Sequence, residues 1–149
     1  MDWKAYYQER LVAADEAVSH IKSGSRILLE DTIAYPGYLV DAMMRHKDQY
    51  RDIEFTQMFS LTDHEEYLDP GMEDRFRLNS FMLGKNARKA FREGRVDFSV
   101  SHYGSLPRVY RECKPLDVAL IQVTPPDENG YVSLGCCVTY TRVGAETAK

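Results

Sequence analysis

The stretch Val118-Ala-Leu-Ile-Gln-Val-Thr-Pro-Pro-Asp-Glu-Asn-Gly-Tyr-Val-Ser-Leu-Gly135 is the part of the sequence that most directly indicates the fold. Its apolar first half predicts a buried strand that ends at Pro125 and Pro126, because proline fixes φ and removes a backbone donor. A polar turn follows, in which Gly130 permits a positive φ, and the small residues of 131–135 predict another strand. Since open α/β sheets bind ligands in loops at the carboxyl ends of their strands, this loop is predicted to lie at a binding edge.

Outward from this stretch, segments with helical and strand periodicity alternate along the chain. Helices are predicted over residues 2–10, 14–21, 37–46, 86–93, 107–113 and 139–149, and strands over 26–30, 53–58, 76–83, 97–100 and 116–123. The strand 116–123 is expected to be the most buried, and 61–75 is expected to be a polar connection. This alternation predicts an α/β protein with an open, mostly parallel sheet in a Rossmann-like order and helices on both faces.

Length and composition limit the possible classes of protein. The 149 residues are predicted to form one domain, 1–149, that ends inside its last helix, and the net charge of -4 argues against a nucleic-acid partner. No apolar run approaches the roughly 20 residues of a membrane span, and the polar amino terminus lacks a signal core, so a cytoplasmic protein is predicted. The three cysteines favour free thiols rather than disulfides or zinc. A loose His64-Glu65-Glu66 cluster is better explained as a solvated acidic loop, so no metal site is predicted.

Common catalytic motifs, including GxGxxG, GxxxxGK[ST], HExxH and GxSxG, are absent from the sequence. Two other clusters stand where a predicted strand runs into a loop. The first is Asn79-Ser80-Phe-Met-Leu-Gly84-Lys-Asn86-Ala-Arg88, in which Asn86 could cap a helix whose first turn carries positive charge. Helix amino termini attract anions, so this cluster predicts either an anion or thioester site or, equally well, a capped helix with a solvated basic face. The second cluster, Ser101-His-Tyr-Gly-Ser105-Leu-Pro107-Arg108, could equally be ordinary turn chemistry.

Together these segments resemble the acetyl-CoA hydrolase/transferase family, and most closely its 4-hydroxybutyrate CoA-transferase branch. The resemblance is collinear over nearly the whole chain. It rests on Asp2-Trp3, Ala14-Asp-Glu-Ala17, Ile21-Lys-Ser-Gly24, Phe76-Arg-Leu-Asn79-Ser80, Gly84-Lys-Asn86-Ala-Arg88-Lys-Ala90, Glu93-Gly-Arg95-Val-Asp97-Phe98, Leu106-Pro107-Arg108, Asp117-Val-Ala-Leu-Ile-Gln-Val123, Pro125-Pro126-Asp127 and Gly130-Tyr131.

The resemblance implies an enzyme that moves coenzyme A between an acyl-CoA and a small carboxylic acid, with the thioester as substrate and no permanently bound cofactor. In that family a glutamate attacks the thioester and backbone N–H groups stabilise the oxyanion. That glutamate lies in a second α/β half, which is expected to be a partner of this one. No catalytic residue is therefore assigned here, although Glu30, Glu93 and Glu128 are available carboxylates. Apolar surface left uncovered by the second half would favour self-association.

The resemblance also gives a set of residues expected to contact substrate or CoA. They are Asn79, Ser80, Gly84, Asn86, Arg88, Ser105, Pro107, Pro125, Pro126, Asp127 and Gly130. One segment departs from the family pattern, because relatives tend to have a glycine in the loop of residues 30–36 and this chain has Gly37 only after Pro36. Two other functions stay open: a non-catalytic module that binds CoA or an acyl group, and an interaction subunit that needs a separate catalytic chain.

Overall fold

A computed structural model describes residues 2–149, which form a single five-stranded sheet with helices on both faces. The strands are β1 (Arg26–Leu29), β2 (Ile53–Gln57), β3 (Phe76–Ser80), β4 (Val96–Phe98) and β5 (Val118–Leu120). The helices are α1 (Trp3–Arg10), α2 (Ala14–Ser19), α3 (Gly37–Arg45), α4 (Lys85–Arg92), α5 (Leu106–Arg108), which continues as a π-helical turn (Val109–Cys113), and α6 (Thr141–Thr147). All four strand pairings are parallel, so the predicted fold class is confirmed.

Successive side chains of β1 show how the sheet builds two cores. Ile27 and Leu29 pack into the layer that contains α2, α3 and α4, whereas Leu28 packs into the layer that contains α5 and α6. Successive side chains of a strand point to opposite faces, so a strand that is apolar at every position must be covered on both. All three of these residues are completely buried.

Each core layer is organised around aromatic rings. In the first, the ring of Phe55 stacks on Phe76 with centroids 5.5 Å apart, and Tyr67 lies 4.7 Å from Phe55. In the second, Tyr110 lies 5.6 Å from Tyr140. Such aromatic pairs are each worth about 0.5–1.5 kcal/mol beyond the area that they bury.

The buried tyrosines of the second layer also satisfy polar groups of the sheet. The Tyr110 hydroxyl lies 3.1 Å from Thr56 Oγ1, and the Met58 N–H donates to the Tyr140 hydroxyl over 2.9 Å. The Tyr140 hydroxyl lies 3.4 Å from the carbonyl oxygen of Leu29, at the end of β1. These contacts fix α6 against the carboxyl ends of β1 and β2.

The strand order, β4-β3-β2-β1-β5, identifies the edge at which a ligand is expected. The chain proceeds from β1 to β4 in one direction and then returns to place β5 on the other side of β1. This reversal creates a topological switch point between β1 and β5, and open α/β sheets bind ligands at the carboxyl ends of the strands beside such a point.

Two strand predictions are wrong. Residues 131–135 form no strand; they fold back on the preceding loop, where the Thr124 N–H donates to Ser133 O and the Asp127 N–H to Tyr131 O. The strand predicted over 116–123 is only Val118–Leu120, and it is not the most buried, because it lies at an edge and bonds to β1 alone. In both cases the local composition suited a strand, but most of the predicted residues have no neighbouring strand with which to form a hydrogen-bonded ladder.

The connection of residues 61–75 also differs from its prediction as a polar segment. A 3₁₀ turn at Glu66–Leu68 buries Tyr67 and Leu68 against the first core layer. Within residues 2–149, no helix has the length and apolar character needed to cross a bilayer.

Candidate functional site

Two of the clefts at the carboxyl edge of the sheet are lined by several predicted site residues, and the first lies at the start of α4. It encloses about 330 Å³ between residues 59–63, which follow β2, and residues 82–88, which follow β3. We call it the α4 cleft. Of the predicted site residues, Gly84, Asn86 and Arg88 line it.

Local chemistry explains why the chain turns closely at this cleft. Gly84 is the N-cap of α4, and a Cβ atom there would lie 3.1 Å from Phe59 Cβ, so a larger residue would crowd the neighbouring loop. Asn86 is not the cap that the sequence suggested. It lies inside the helix, and its Nδ2 donates to the carbonyl oxygen of Thr62 over 3.0 Å, which ties the two walls of the cleft together.

Two predicted residues lie beneath the cleft rather than in its lining. Ser80 Oγ lies 2.7 Å from Met58 O and 2.8 Å from Met82 O, so it supports the ends of β2 and β3. Asn79 is buried in the middle of the sheet, and its Oδ1 has no hydrogen-bond partner. Ser80 therefore shapes the floor of the cleft, and neither residue is exposed to a ligand.

The exposed face of α4 has an excess of positive charge. Within residues 2–149, its four cations form no salt bridge with any carboxylate, whereas most of the other Lys and Arg side chains do. The four are Lys85, Arg88, Lys89 and Arg92. In a chain of net charge -4, this is a local surface that would attract an anionic ligand.

The second cleft lies between α1 and the loop after β5, and we call it the α1 cleft. It encloses about 610 Å³, and its lining includes Pro125, Pro126 and Asp127. Asp127 Oδ1 accepts hydrogen bonds of 2.9 Å from the N–H groups of Asn129 and Tyr131, which fixes the turn.

Gly130 belongs to this turn and is required there for two reasons. Its φ is +85°, and a Cβ atom would come within 2.4 Å of ring carbons of Trp3. Trp3 is the only tryptophan of the chain, and it lies on a helix that has no buried residue. The contact between Gly130 and Trp3 is therefore a main link between α1 and the rest of the fold.

The predicted site residues do not form one site within the described part of the chain. The two clefts have no lining residue in common, and the strands that they follow lie on opposite sides of β1. Ser105 and Pro107, which follow β4 at the start of α5, are half-buried and line neither cleft.

A third group of residues lies at the switch point itself, and of its members sequence analysis named only Glu30, as an available carboxylate. Glu30 and Asp31, which follow β1, are 0% and 3% exposed. Glu30 Oε2 accepts from the Gln122 N–H over 2.6 Å, and its Oε1 accepts from Thr141 Oγ1 over 3.2 Å. Asp31 Oδ1 accepts from Cys137 Sγ over 2.8 Å. We call Glu30, Asp31, Gln122, Cys137 and Thr141 the β1 exit cluster.

Burial determines the protonation chemistry of this cluster. It raises the pKa of Glu30, although the hydrogen bonds from Gln122 and Thr141 oppose that shift. Burial and the bond to Asp31 raise the pKa of the Cys137 thiol to about 11, so the thiol is protonated near neutral pH. Because the thiolate is the reactive form of cysteine, Cys137 is a hydrogen-bond donor here and not a nucleophile.

The loop that follows Glu30 and Asp31 is strained at Thr32. Its φ is +52°, a left-handed conformation that is unusual for a β-branched residue. Thr32 Oγ1 lies 3.3 Å from Cys137 Sγ, and its N–H donates to Phe59 O over 2.9 Å. The loop of residues 30–36 lacks the glycine of the family pattern, and these two contacts hold Thr32 in a conformation that glycine would adopt more easily.

The three carboxylates that sequence analysis named lie in three different places. Glu30 is buried at the switch point, and Glu128 lines the α1 cleft. Glu93 ends α4 and is paired with Arg95, which lowers the pKa of its carboxyl group. They do not converge on one cleft, and no group of three metal-binding side chains was found among residues 2–149.

Comparison with known proteins gives consistent results over the whole chain. The acetyl-CoA hydrolase/transferase N-terminal domain matches residues 1–149. A 4-hydroxybutyrate coenzyme A transferase of Clostridium kluyveri is 38% identical over 100% of this chain and 35% of its own length. A butyryl-CoA:acetate CoA-transferase of Anaerostipes caccae is 30% identical over 99% of this chain and 33% of its own length.

Solved structures show the same relationship. The crystal structure of RipA from Yersinia pestis superposes with a TM-score of 0.88 at 26% identity, and the match covers 99% of this chain and 37% of RipA. A 4-hydroxybutyrate CoA-transferase of Porphyromonas gingivalis gives a TM-score of 0.75 at 29% identity, over 98% of this chain and 33% of that protein. The chain thus spans about a third of the length of the relatives that it matches.

Proposed function

Because this chain belongs to the acetyl-CoA hydrolase/transferase family, we propose that it is the amino-terminal lobe of a CoA-transferase. The complete enzyme would move coenzyme A from an acyl-CoA to a small carboxylic acid of the 4-hydroxybutyrate or acetate type. The glutamate that attacks the thioester would come from protein outside these 149 residues. The observation that carries the proposal is the whole-chain match to the family together with 38% identity to a 4-hydroxybutyrate CoA transferase.

The exposed apolar side chains at the carboxyl edge support a second lobe as partner. The loop after every strand has at least one large apolar residue that is about half exposed or more: Ile33, Leu61, Met82, Val100 and Tyr131. Apolar surface that is gathered on one side of a domain is typical of a surface that another protein body covers. A lobe that closes over this edge would exclude water from both clefts, which strengthens electrostatic interactions with a thioester.

We assign the substrate contacts to the two clefts as part of this proposal. The unpaired cations of α4 suit the phosphates of coenzyme A, and the rigid turn at Pro125-Pro126-Asp127 suits a contact with the acyl end of the substrate. Gly84, Asn86 and Gly130 would shape the walls and Ser80 would support the floor, whereas Asn79, Ser105 and Pro107 line neither cleft and are assigned no substrate contact.

An exchange assay tests the proposal. The chain alone, mixed with butyryl-CoA and labelled acetate, is expected to give no labelled acetyl-CoA, because no nucleophilic glutamate is assigned in it. The same chain joined to, or mixed with, a glutamate-bearing second lobe is expected to exchange. Turnover by the chain alone, or no exchange by the completed protein with any short acyl-CoA, would contradict the proposal.

The charge of α4 allows a sharper test in the completed protein. Arg88→Ala together with Lys89→Ala should raise KM for acyl-CoA several-fold and leave KM for acetate unchanged, because only the CoA has phosphates. Lys22→Ala is the matched control, since Lys22 is also an exposed cation without a salt bridge but precedes β1, at the amino edge of the sheet. An equal change in the control would show that the effect is general electrostatics.

The same cations favour a second candidate, a module that binds CoA without chemistry. Calorimetry of the isolated chain with CoA separates the two, because this candidate requires saturable binding without any second lobe. The third candidate, a subunit that completes its site with a separate catalytic chain, requires a glutamate-bearing partner that co-purifies with this chain.

A further inference from the structure

Two consecutive buried carboxylates hold the two ends of one long loop. Glu30 contacts the beginning of the loop through the N–H of Gln122, and Asp31 contacts its end through the thiol of Cys137. Between these points, residues 123–136 are mostly exposed, and they include the turn that lines the α1 cleft. We propose that Glu30 and Asp31 are positioning residues that anchor this loop to the end of β1, with Glu30 also anchoring the start of α6.

The contact at the beginning of the loop is closer than an ordinary loop contact. The 2.6 Å separation of Gln122 N and Glu30 Oε2 is short for an N–H···O hydrogen bond. Glu30 also accepts from Thr141 Oγ1, and Thr141 is completely buried at the first position of α6. One side chain therefore joins three segments: the end of β1, the exit of β5 and the start of α6.

The surroundings make these two carboxylates difficult to replace. Within the described residues, neither carboxylate forms a salt bridge, so donors from the loop and α6 are their principal partners. The other titratable groups close to the pair are Cys137, Tyr103, Tyr110 and Tyr140, and burial raises the pKa of each, so all four are neutral near neutral pH. A buried carboxylate that lost its donors would be uncompensated, which penalises any state in which the loop detaches.

The anchoring itself does not depend on the proposed function, but its consequence for substrate does. If the Pro125-Pro126-Asp127 turn contacts substrate, its position relative to β1 decides how well the substrate is placed, since misplacement by about 1 Å can cost about a hundredfold in rate. Glu30 and Asp31 would then act through the loop, without themselves touching the substrate.

Amide hydrogen exchange followed by NMR tests the anchoring in the chain as it is. Glu30→Ala should accelerate exchange of the Gln122 amide at least tenfold, whereas Glu30→Gln should leave it close to the original rate, because the glutamine side chain keeps an acceptor oxygen. Glu128→Ala removes an exposed carboxylate from the same loop and should change nothing. Equal protection of the Gln122 amide in all four proteins would overturn the proposal.

A second pair of variants keeps the test valid if Glu30→Ala fails to fold. Cys137→Ser retains a donor to Asp31, and Cys137→Ala removes it with little change in volume. In the alanine variant, release of the loop should move Gly130 away from Trp3 and expose the indole, which is seen as a red shift of its fluorescence; the serine variant should show no shift. Identical spectra for the two variants would refute the role of Asp31.

The outcomes distinguish this inference from the proposed function. Neither measurement needs CoA, so accelerated exchange in Glu30→Ala supports the anchoring even if no completed protein exchanges acyl groups. In an active completed protein, Glu30→Ala should lower kcat more than Glu30→Gln does. Equal loss in both variants would show that the charge, and not the position of the loop, matters for the reaction.

Discussion

Substitution of Gly130 by alanine tests whether α1 is held mainly by its contact with the loop after β5. The new Cβ would lie 2.4 Å from two ring carbons of Trp3 and 2.9 Å from a third, so the indole must move. A left-handed conformation costs a non-glycine residue about 1–2 kcal/mol. Because α1 has no buried residue, the steric part of the strain is expected to be relieved by displacing the helix, without unfolding the core.

We therefore expect a loss of about 1–2 kcal/mol in the free energy of unfolding, which corresponds to a fall in Tm of about 2–8 °C for a domain of this size. Trp3 fluorescence should shift to longer wavelength at temperatures far below the transition. Gly71→Ala is the matched control: its φ is +91° but no atom lies within 4 Å of the added Cβ, so only the conformational cost applies. Unchanged Trp3 emission in Gly130→Ala, or an equal shift in Gly71→Ala, would refute the reasoning.

Three further predictions concern the core and the switch point. Tyr110→Phe leaves Thr56 Oγ1 without its partner at a completely buried position, so it should cost about 1–3 kcal/mol in urea unfolding, and adding Thr56→Val should recover much of that loss; additive losses would contradict the coupling. Phe55→Ala removes a ring stacked on a neighbour in the first core layer and should cost about 3–5 kcal/mol in the same assay; a loss below about 1 kcal/mol would contradict it. Burial raises the pKa of Glu30, so the stability that its raised pKa contributes is complete below the ordinary carboxyl pKa and is lost as pH rises through the raised value. Glutamine does not titrate, so the stability of Glu30→Gln relative to the unsubstituted chain should increase from about pH 4 towards pH 7. A constant difference between the two proteins would contradict this sign.

Most of the sheet could be predicted because its signals are local. Short buried segments such as Arg26–Leu29 and Ile53–Gln57 are bounded by helical segments, and that alternation leaves a parallel sheet between helix layers as the main solution. The wrong assignments, at residues 131–135 and 116–123, arose where the local composition suited a strand but strand pairing depended on residues far away in the sequence. A strand needs a neighbour, and local sequence does not say whether one is present.

The candidate site was only partly predictable for the same reason. Gly84 and Gly130 were identified because a tight turn has a local signature, and the structure shows a steric reason for each. The β1 exit cluster was missed because its hydrogen bonds join residues between 92 and 111 positions apart. A buried glutamate at the end of an apolar strand was the only local signal, and it could have been followed, since a buried charge requires partners.

The two outermost strands of the sheet have a consequence for how the protein behaves at high concentration. β4 and β5 are each three residues long, and Asp97 in β4 is engaged by the guanidinium of Arg77 from the adjacent strand. Short edge strands, one of which also has a charged side chain, offer another backbone few hydrogen-bonding positions, which is a common protection against fibril growth. Precipitation of this protein on storage should therefore follow from contacts between side chains, and it should be reversible on dilution.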